Sequence, residues 1–225
     1  MPLSDHAREN FPYLLREVQA AGARLVAVSK TQPDDKIMAL YALGQRDFGE
    51  NRVSELSEKV RRLPADIRWH YLGNLQRNKV KALLPLAPHL IHSVDSERLL
   101  FEIAKVATQQ SLTVALLLQF HIAEEETKSG FQLSEAQAAL NQWFAAGPKP
   151  GLRICGVMGM ATNTENDETI ATEFKALTKI FKQLKNDFFP TDPSFCEISM
   201  GMSGDYPIAL EQGSTLVRVG SLLFS

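Results

Sequence analysis

Lys30 closes the apolar run LVAVS (Leu25–Ser29), and Thr31, Gln32 and Pro33 follow at once. A strand that buries itself and then presents an amine is one way to build a covalent site, because a lysine amine adds to an aldehyde. A lysine at a strand end also serves as a solvated cap. Far along the chain, SMGMSGD (Ser199–Asp205) places Gly201, Ser203 and Gly204 ahead of a helix start near Asp205 or Tyr206. Small residues leave backbone N–H groups accessible, and a nest before a helix amino terminus holds anions. The same glycines would equally serve a tight turn. Gly220 and Ser221 add a second small element after the last strand, and Arg218 sits within that strand between Val217 and Val219. Period-two alternation sends Arg218 and the two valines to opposite faces. Pointing inward, Arg218 reaches the site; pointing outward, it needs a structural ion pair beneath the helices.

An amine and a phosphate nest facing one another define a chemistry. Pyridoxal 5′-phosphate uses both, the first for a Schiff base and the second for its phosphate. A sugar-phosphate aldolase or a plain phosphate-ester binder uses them too. His70, between Trp69 and Tyr71, reads as a satisfied core histidine. His121 follows the fifth strand and stands where it would line the mouth, although His121–Lys128 is mostly a charge run. The sequence has no metal-ligand spacing of the H-E-x-x-H kind and no G-x-S-x-G elbow.

The elements that must position these residues follow from periodicity. Strands are predicted near 24–30, 47–50, 67–72, 90–93, 113–120, 152–158, 195–200 and 215–219. Helices are predicted over 4–21, with a break or late start at Pro12, and over 33–43, 52–62, 78–84, 96–109, 134–145, 168–187 and 205–212. Ser134 is the predicted cap of its helix. Regular strand–helix alternation indicates a parallel α/β sheet, and eight repeats favour a closed (β/α)8 TIM-type barrel preceded by an extra amino-terminal helix. An open doubly wound sheet is the alternative, but no G-x-G-x-x-G follows the first strand. In a barrel the strand carboxyl ends carry the site. Here those ends include Lys30, Glu50-Asn51, His121, Ser199–Ser203 and Gly220-Ser221.

Composition narrows the class. The chain has 225 residues, 44% of them hydrophobic, with a formal net charge of -2. That length suits one barrel domain over residues 1–225, with two smaller domains as the alternative. The near-neutral charge gives no signal for nucleic acid or an anionic membrane. No apolar stretch reaches the length of a membrane span and no signal pattern opens the chain, which points to the cytoplasm. Cys155 and Cys196 read as buried free thiols.

Several stretches resemble the YggS/PROSC family of pyridoxal phosphate homeostasis proteins. They are LVAVSK (25–30), DFGENRVSE (47–55), WHYLGNLQRNK (69–79), SVD (93–95), EETKSGF (125–131), GVMGM (156–160), SMGMSGDYPIAL (199–210) and GSTLVRVGSLLF (213–224). The resemblance implies the barrel of the alanine racemase amino-terminal domain without a second β-rich domain. It implies pyridoxal 5′-phosphate held as a Schiff base on Lys30, with Asn51 beside the ring and Arg218 facing the pyridine nitrogen. The loop of Ser199, Met200, Gly201, Ser203 and Gly204, together with Gly220 and Ser221, would hold the phosphate. It further implies a monomer that binds and buffers the cofactor, meets cofactor-dependent apoenzymes transiently and has no established reaction. The alternative is an amino-acid racemase or lyase on the same lysine, with Tyr71, His70 or His121 as second proton-transfer group. One departure stands out: many relatives carry asparagine where this chain has His121, which leaves the lining of the site's inner edge open.

Overall fold

A computed structural model describes residues 3–125, 129–147, 149 and 151–224. Part of the EETKSGF stretch (126–128) and residue 225 lie outside the described residues. Eight strands alternate with helices: β1 (Arg24–Val28), β2 (Asp47–Glu50), β3 (Arg68–Tyr71), β4 (Leu90–Val94), β5 (Val114–Gln119), β6 (Leu152–Met158), β7 (Glu197–Ser199) and β8 (Leu216–Val219). They pair in sequence order, every pair parallel, and β1 also pairs with β8, so the barrel closes. The helices are α1 (Asp5–Ala20), α2 (Asp34–Ala42), α3 (Val53–Arg62), α4 (Val80–Leu83), α5 (Glu97–Gln110), α6 (Leu133–Ala145), α7 (Asp167–Phe188), α8 (Tyr206–Glu211) and α9 (Ser221–Phe224).

Strand alternation divides the core in two. Leu25, Ala27, Val217 and Val219 face the helices in the large outer cluster. Val26, Leu90, Leu117, Met158 and Leu216 form a smaller cluster inside the barrel. Val26 lies opposite Arg218 in the β1–β8 register, so the guanidinium points inward. Each buried aliphatic chain in these layers stabilises the fold by about 1.5–3 kcal/mol.

Several local expectations are corrected. β1 stops at Val28, so Lys30 lies in the turn beyond the strand rather than at its last position. α1 runs through Pro12 without a break. Pro12 is on the exposed face, where water can hydrate the carbonyl that a proline leaves unpaired. Ser134 is inside α6; the helix is capped at Gln132, whose backbone N–H donates to Glu135 Oε2 over 2.8 Å. The helix after β3 is only α4, flanked by 3-10 turns at Arg77–Lys79 and Leu84–Leu86. α9 is an additional turn of helix that periodicity did not reveal, because four residues carry no period. Cys155 is buried, and burial pushes its thiol up to about 11, but Cys196 is exposed. Both are free.

Candidate functional site

At the carboxyl ends of the strands lies a cleft of about 430 Å³, lined by Lys30, Asn51, Ser203, Gly204, Arg218, Gly220 and Ser221. Its volume is within the range of small-molecule sites. Val28, Leu72, Met158, Met160 and Met202 complete its walls. Sequence reasoning did not select these apolar residues; the methionines of GVMGM and SMGMSGD at two strand ends were the available signal.

Lys30 is exposed, and its Nζ makes no hydrogen bond or ion pair with a described residue. The turn that presents it is over-determined. Thr31 takes a positive φ of 62°, which is costly for a β-branched residue. Its N–H donates to Glu55 Oε2 over 2.9 Å, and Gln32 N–H donates to the Ser29 carbonyl over 3.0 Å. Beneath the turn, Lys59 of α3 donates to the Ser29 carbonyl (2.8 Å) and to Glu50 Oε1 (2.6 Å). Ser29 Oγ donates to the same oxygen over 2.6 Å. Glu50 faces the helix layer because it alternates with Asp47 and Gly49 along β2. Burial pushes its carboxyl above the usual range, against the pull of Lys59 and Ser29.

The nest comes from two loops. Ser203 Oγ accepts from Gly220 N–H over 3.2 Å and ties them together. Among the described residues, the amides of Ser203, Gly204 and Ser221 donate to nothing. Met202 N–H is taken by Asp205 Oδ1 at 2.5 Å, which shapes the loop. Gly201 has φ +92°, and a Cβ there would sit 2.5 Å from Ala209 Cβ, so the turn requires glycine. Across the cleft, the buried Asn51 Oδ1 has no partner. A Cβ on Gly73 would lie 2.0 Å from the Asn51 carbonyl, so Gly73 lets the Asn51 segment pack closely.

Arg218 is buried; its Nη1 donates to Ser199 Oγ over 2.7 Å and its Nη2 to the Gly159 carbonyl over 3.1 Å. Burial pushes the guanidinium down to about 10, so it remains charged at neutral pH. Three residues assigned to the phosphate loop do not line the cleft. Ser199 is a buried β7 residue behind Arg218. Met200 packs its side chain in the outer core, and its N–H is spent on the Leu216 carbonyl over 3.2 Å. Gly201 is a buried hinge whose carbonyl accepts from Arg218 N–H over 2.9 Å. The loop turns into the cleft only at Met202.

The comparisons with known proteins converge on this architecture. The family described as "Alanine racemase, N-terminal domain" matches residues 4–225. The chain is 34% identical to the pyridoxal phosphate homeostasis protein of Aquifex aeolicus, over 90% of this chain and 86% of that one. It is 39% identical to the protein of that name from Deinococcus radiodurans, over 92% of this chain and 91% of that one. The chain belongs to the pyridoxal phosphate homeostasis protein family. Solved structures agree with this. PipY of Synechococcus elongatus without PLP superposes with a TM-score of 0.88 at 32% identity, covering 98% of this chain and all (100%) of that one. PipY with PLP bound gives a TM-score of 0.85 at 32% identity, covering 97% and 100%.

Against the family barrel, the remaining sequence candidates fall into place. His70 is buried and bonded, as a core histidine should be: its Nδ1 lies 2.9 Å from His92 Nε2 and its Nε2 lies 3.0 Å from Asp47 Oδ1. His121 does not line the cleft; its Nε2 lies 2.9 Å from the Glu125 carbonyl and its Nδ1 lies 3.4 Å from Gln132 Nε2. The fold gathers Asp47, His70 and His89 with ligand atoms within 4.8 Å, a grouping that no sequence spacing announced. Arg68 already donates to both Asp47 oxygens (2.8 and 2.6 Å), so a cation occupies the ground a metal ion would need. A larger cavity of about 690 Å³ adjoins the cleft, with Asn51 lining both and Tyr71, Arg52 and Lys79 lining the larger.

Proposed function

We propose that this protein binds pyridoxal 5′-phosphate and serves its homeostasis, holding the cofactor on Lys30 without a reaction of its own. The observation that carries the reading is the convergence of unspent polar groups on one cleft. These are the Lys30 amine, the orphaned Asn51 Oδ1 and the amides of Ser203, Gly204 and Ser221. The residues present fit the cofactor, and a relative at 32% identity has PLP bound.

Bound there, the cofactor supplies an aldehyde for the lysine amine and a phosphate for the nest. Lys30 is the one lysine among the described residues that line the cleft. The three free amides would receive the phosphate, with Ser203 Oγ holding the two loops in register. Asn51 Oδ1 would accept from a donor on the ligand, which would satisfy a buried oxygen. Arg218 offers only donors, so it would keep a ring nitrogen set against it unprotonated, which would make the ring a weak electron sink.

The lack of a second acid or base in the cleft supports holding over turnover. Of the described residues lining it, only Lys30 and Arg218 are titratable. Racemisation or elimination needs a further group within reach. Tyr71 lines the neighbouring cavity, His70 is buried in the barrel, and His121 is bonded elsewhere. The reading extends to a cytoplasmic monomer that gives up cofactor to apoenzymes through transient contact; the exposure of Lys30 supports it. No helix among the described residues is long and apolar enough to cross a membrane.

An absorbance spectrum of the purified protein with added cofactor tests the proposal. A near-visible band should appear, disappear with borohydride and be missing in Lys30→Ala. A colourless protein that takes up no cofactor overturns it. Racemisation and decarboxylation assays on an amino-acid panel should give no turnover; a steady rate that depends on Lys30 would favour the enzyme.

A further inference from the structure

The barrel interior carries an unbroken line of buried hydrogen bonds that ends at the cleft. Arg218 Nη1 donates to Ser199 Oγ over 2.7 Å. Ser199 Oγ lies 2.8 Å from His92 Nδ1, His92 Nε2 lies 2.9 Å from His70 Nδ1, and His70 Nε2 lies 3.0 Å from Asp47 Oδ1. Arg218, Ser199, His92, His70 and Asp47 are all buried. They come from β8, β7, β4, β3 and β2, and alternation turns all five into the lumen.

The two ends fix the direction of every bond. Burial pushes the Asp47 carboxyl up, but hydrogen bonds from Arg68 and His70 together outweigh it and hold it below the usual carboxylate range. Asp47 is therefore a carboxylate and only accepts. His70 must carry its proton on Nε2, where it faces that carboxylate. Burial lowers both histidines, so each is neutral and has one N–H. His70 Nδ1 is then an acceptor, and His92 must donate from Nε2. His92 Nδ1 is left to accept, and the partner it accepts from is the Ser199 hydroxyl. Ser199 in turn accepts from Arg218, which has no other role to offer. The reverse arrangement would set a bare His70 nitrogen against a carboxylate.

We infer that His92 and His70 are positioning residues, forming with Ser199 a one-way relay from Arg218 to Asp47 that holds the cleft guanidinium in place from the far end of the barrel. Without an acceptor at His92, the Ser199 hydroxyl must find another, and its lone pair no longer points at Arg218. The partner on the neighbouring strand thus sets the orientation of a side chain that the cofactor meets. The effect on cofactor binding rests on the proposed function; the relay itself does not.

Two measurements test it separately. In the unaltered protein without cofactor, ¹⁵N shifts of labelled histidine should show His70 and His92 as neutral Nε2–H tautomers at neutral pH. An Nδ1–H tautomer or an imidazolium at either position overturns the relay, whatever the cofactor does. In the second, cofactor titration compares His92→Leu with His92→Gln. The leucine removes the acceptor, and affinity should fall about tenfold with a shift of the bound absorbance maximum. Glutamine accepts with one end of its amide and donates with the other, so affinity should stay within about threefold of the unaltered protein. Equal affinity and equal spectra for leucine and the unaltered protein would show that His92 does not position Arg218. If His92→Leu does not fold, Ser199→Ala replaces it in the same titration: a comparable fall in affinity is expected, and affinity equal to that of the unaltered protein overturns the positioning role. Correct tautomers in a protein that binds no cofactor would uphold the relay and sink the functional reading.

Discussion

Lys59 Nζ lies 2.6 Å from Glu50 Oε1, and both side chains are buried beneath the turn that presents Lys30. The pair is attached to the site through Ser29, whose carbonyl accepts from the same amine and whose Oγ donates to the same carboxylate oxygen. A buried ion pair adds little net stability, but removing one partner strands the other charge. Here the stranded charge would sit directly under the functional lysine.

Lys59→Met should therefore destabilise the protein by about 3–5 kcal/mol and weaken cofactor uptake. The double variant Lys59→Met with Glu50→Leu should recover most of the stability, because no charge is left uncompensated, but not the uptake, because the Ser29 carbonyl still lacks its donor. Urea midpoints and cofactor titrations on the three proteins check both parts. Full recovery of uptake in the double variant would mean that the amine does not hold the turn.

Lys30→Ala should do the opposite. The side chain is exposed and unpaired among the described residues, so its loss should change stability by no more than about 0.5 kcal/mol. The cofactor band should vanish while the urea midpoint stays in place. A large loss of stability would mean that Lys30 has a structural partner.

Much of this site was legible in the sequence, for identifiable reasons. The barrel followed from eight alternations, because a strand buried on both faces and an amphipathic helix leave different periods. Alternation set Arg218 on the face opposite Val217 and Val219 and left inward or outward open; the register with Val26, which lies inside the barrel, makes it inward. Lys30, Asn51, Ser203, Gly204, Gly220 and Ser221 line one cleft. Ser199, Met200 and Gly201 do not line it, since proximity to a glycine loop says nothing about which residue of the loop turns first into the cleft. The buried clamp of Ser29, Glu50 and Lys59 was also out of reach. In the sequence Lys59 is one of several charges on α3, beside Glu55, Glu58, Arg61 and Arg62, and only the packing of that helix on β2 buries it. His92 falls in the predicted strand near 90–93, but its partners come from strands 22 and 107 residues away.

Stability should depend on pH through the two lumen histidines. Both are fully buried and lowered from 6.5, chiefly by burial. In the unfolded chain they take up protons as pH falls through about 6.5, while the folded state keeps them neutral. The unfolded state then binds more protons, so stability is full above that pH and is lost below it. Each histidine contributes a slope of about 1.4 kcal/mol per pH unit until its folded form titrates. Urea unfolding at pH 7.5, 6.5 and 5.5 should show the drop in the last interval, and His70→Gln should reduce its slope. A flat profile over that range would mean that neither lumen histidine stays neutral in the folded state as the unfolded chain takes up protons.

Two glycines three residues apart should separate folding from binding. Gly201→Ala forces a side chain into φ +92° with Ala209 Cβ at 2.5 Å and Tyr206 Cα at 3.1 Å, so α8 must shift. The cost should be at least about 1–3 kcal/mol, read as a lower urea midpoint. A Cβ on Gly204 meets nothing within 4 Å, and the residue lines the cleft. Gly204→Ala should keep the unaltered midpoint to within about 0.5 kcal/mol. Its methyl group stands beside the free amides, so cofactor affinity should fall while the amount of Lys30-dependent band at saturation is unchanged. If Gly204→Ala binds as tightly as the unaltered protein, the phosphate does not rest on this loop and the amides near Ser221 must hold it.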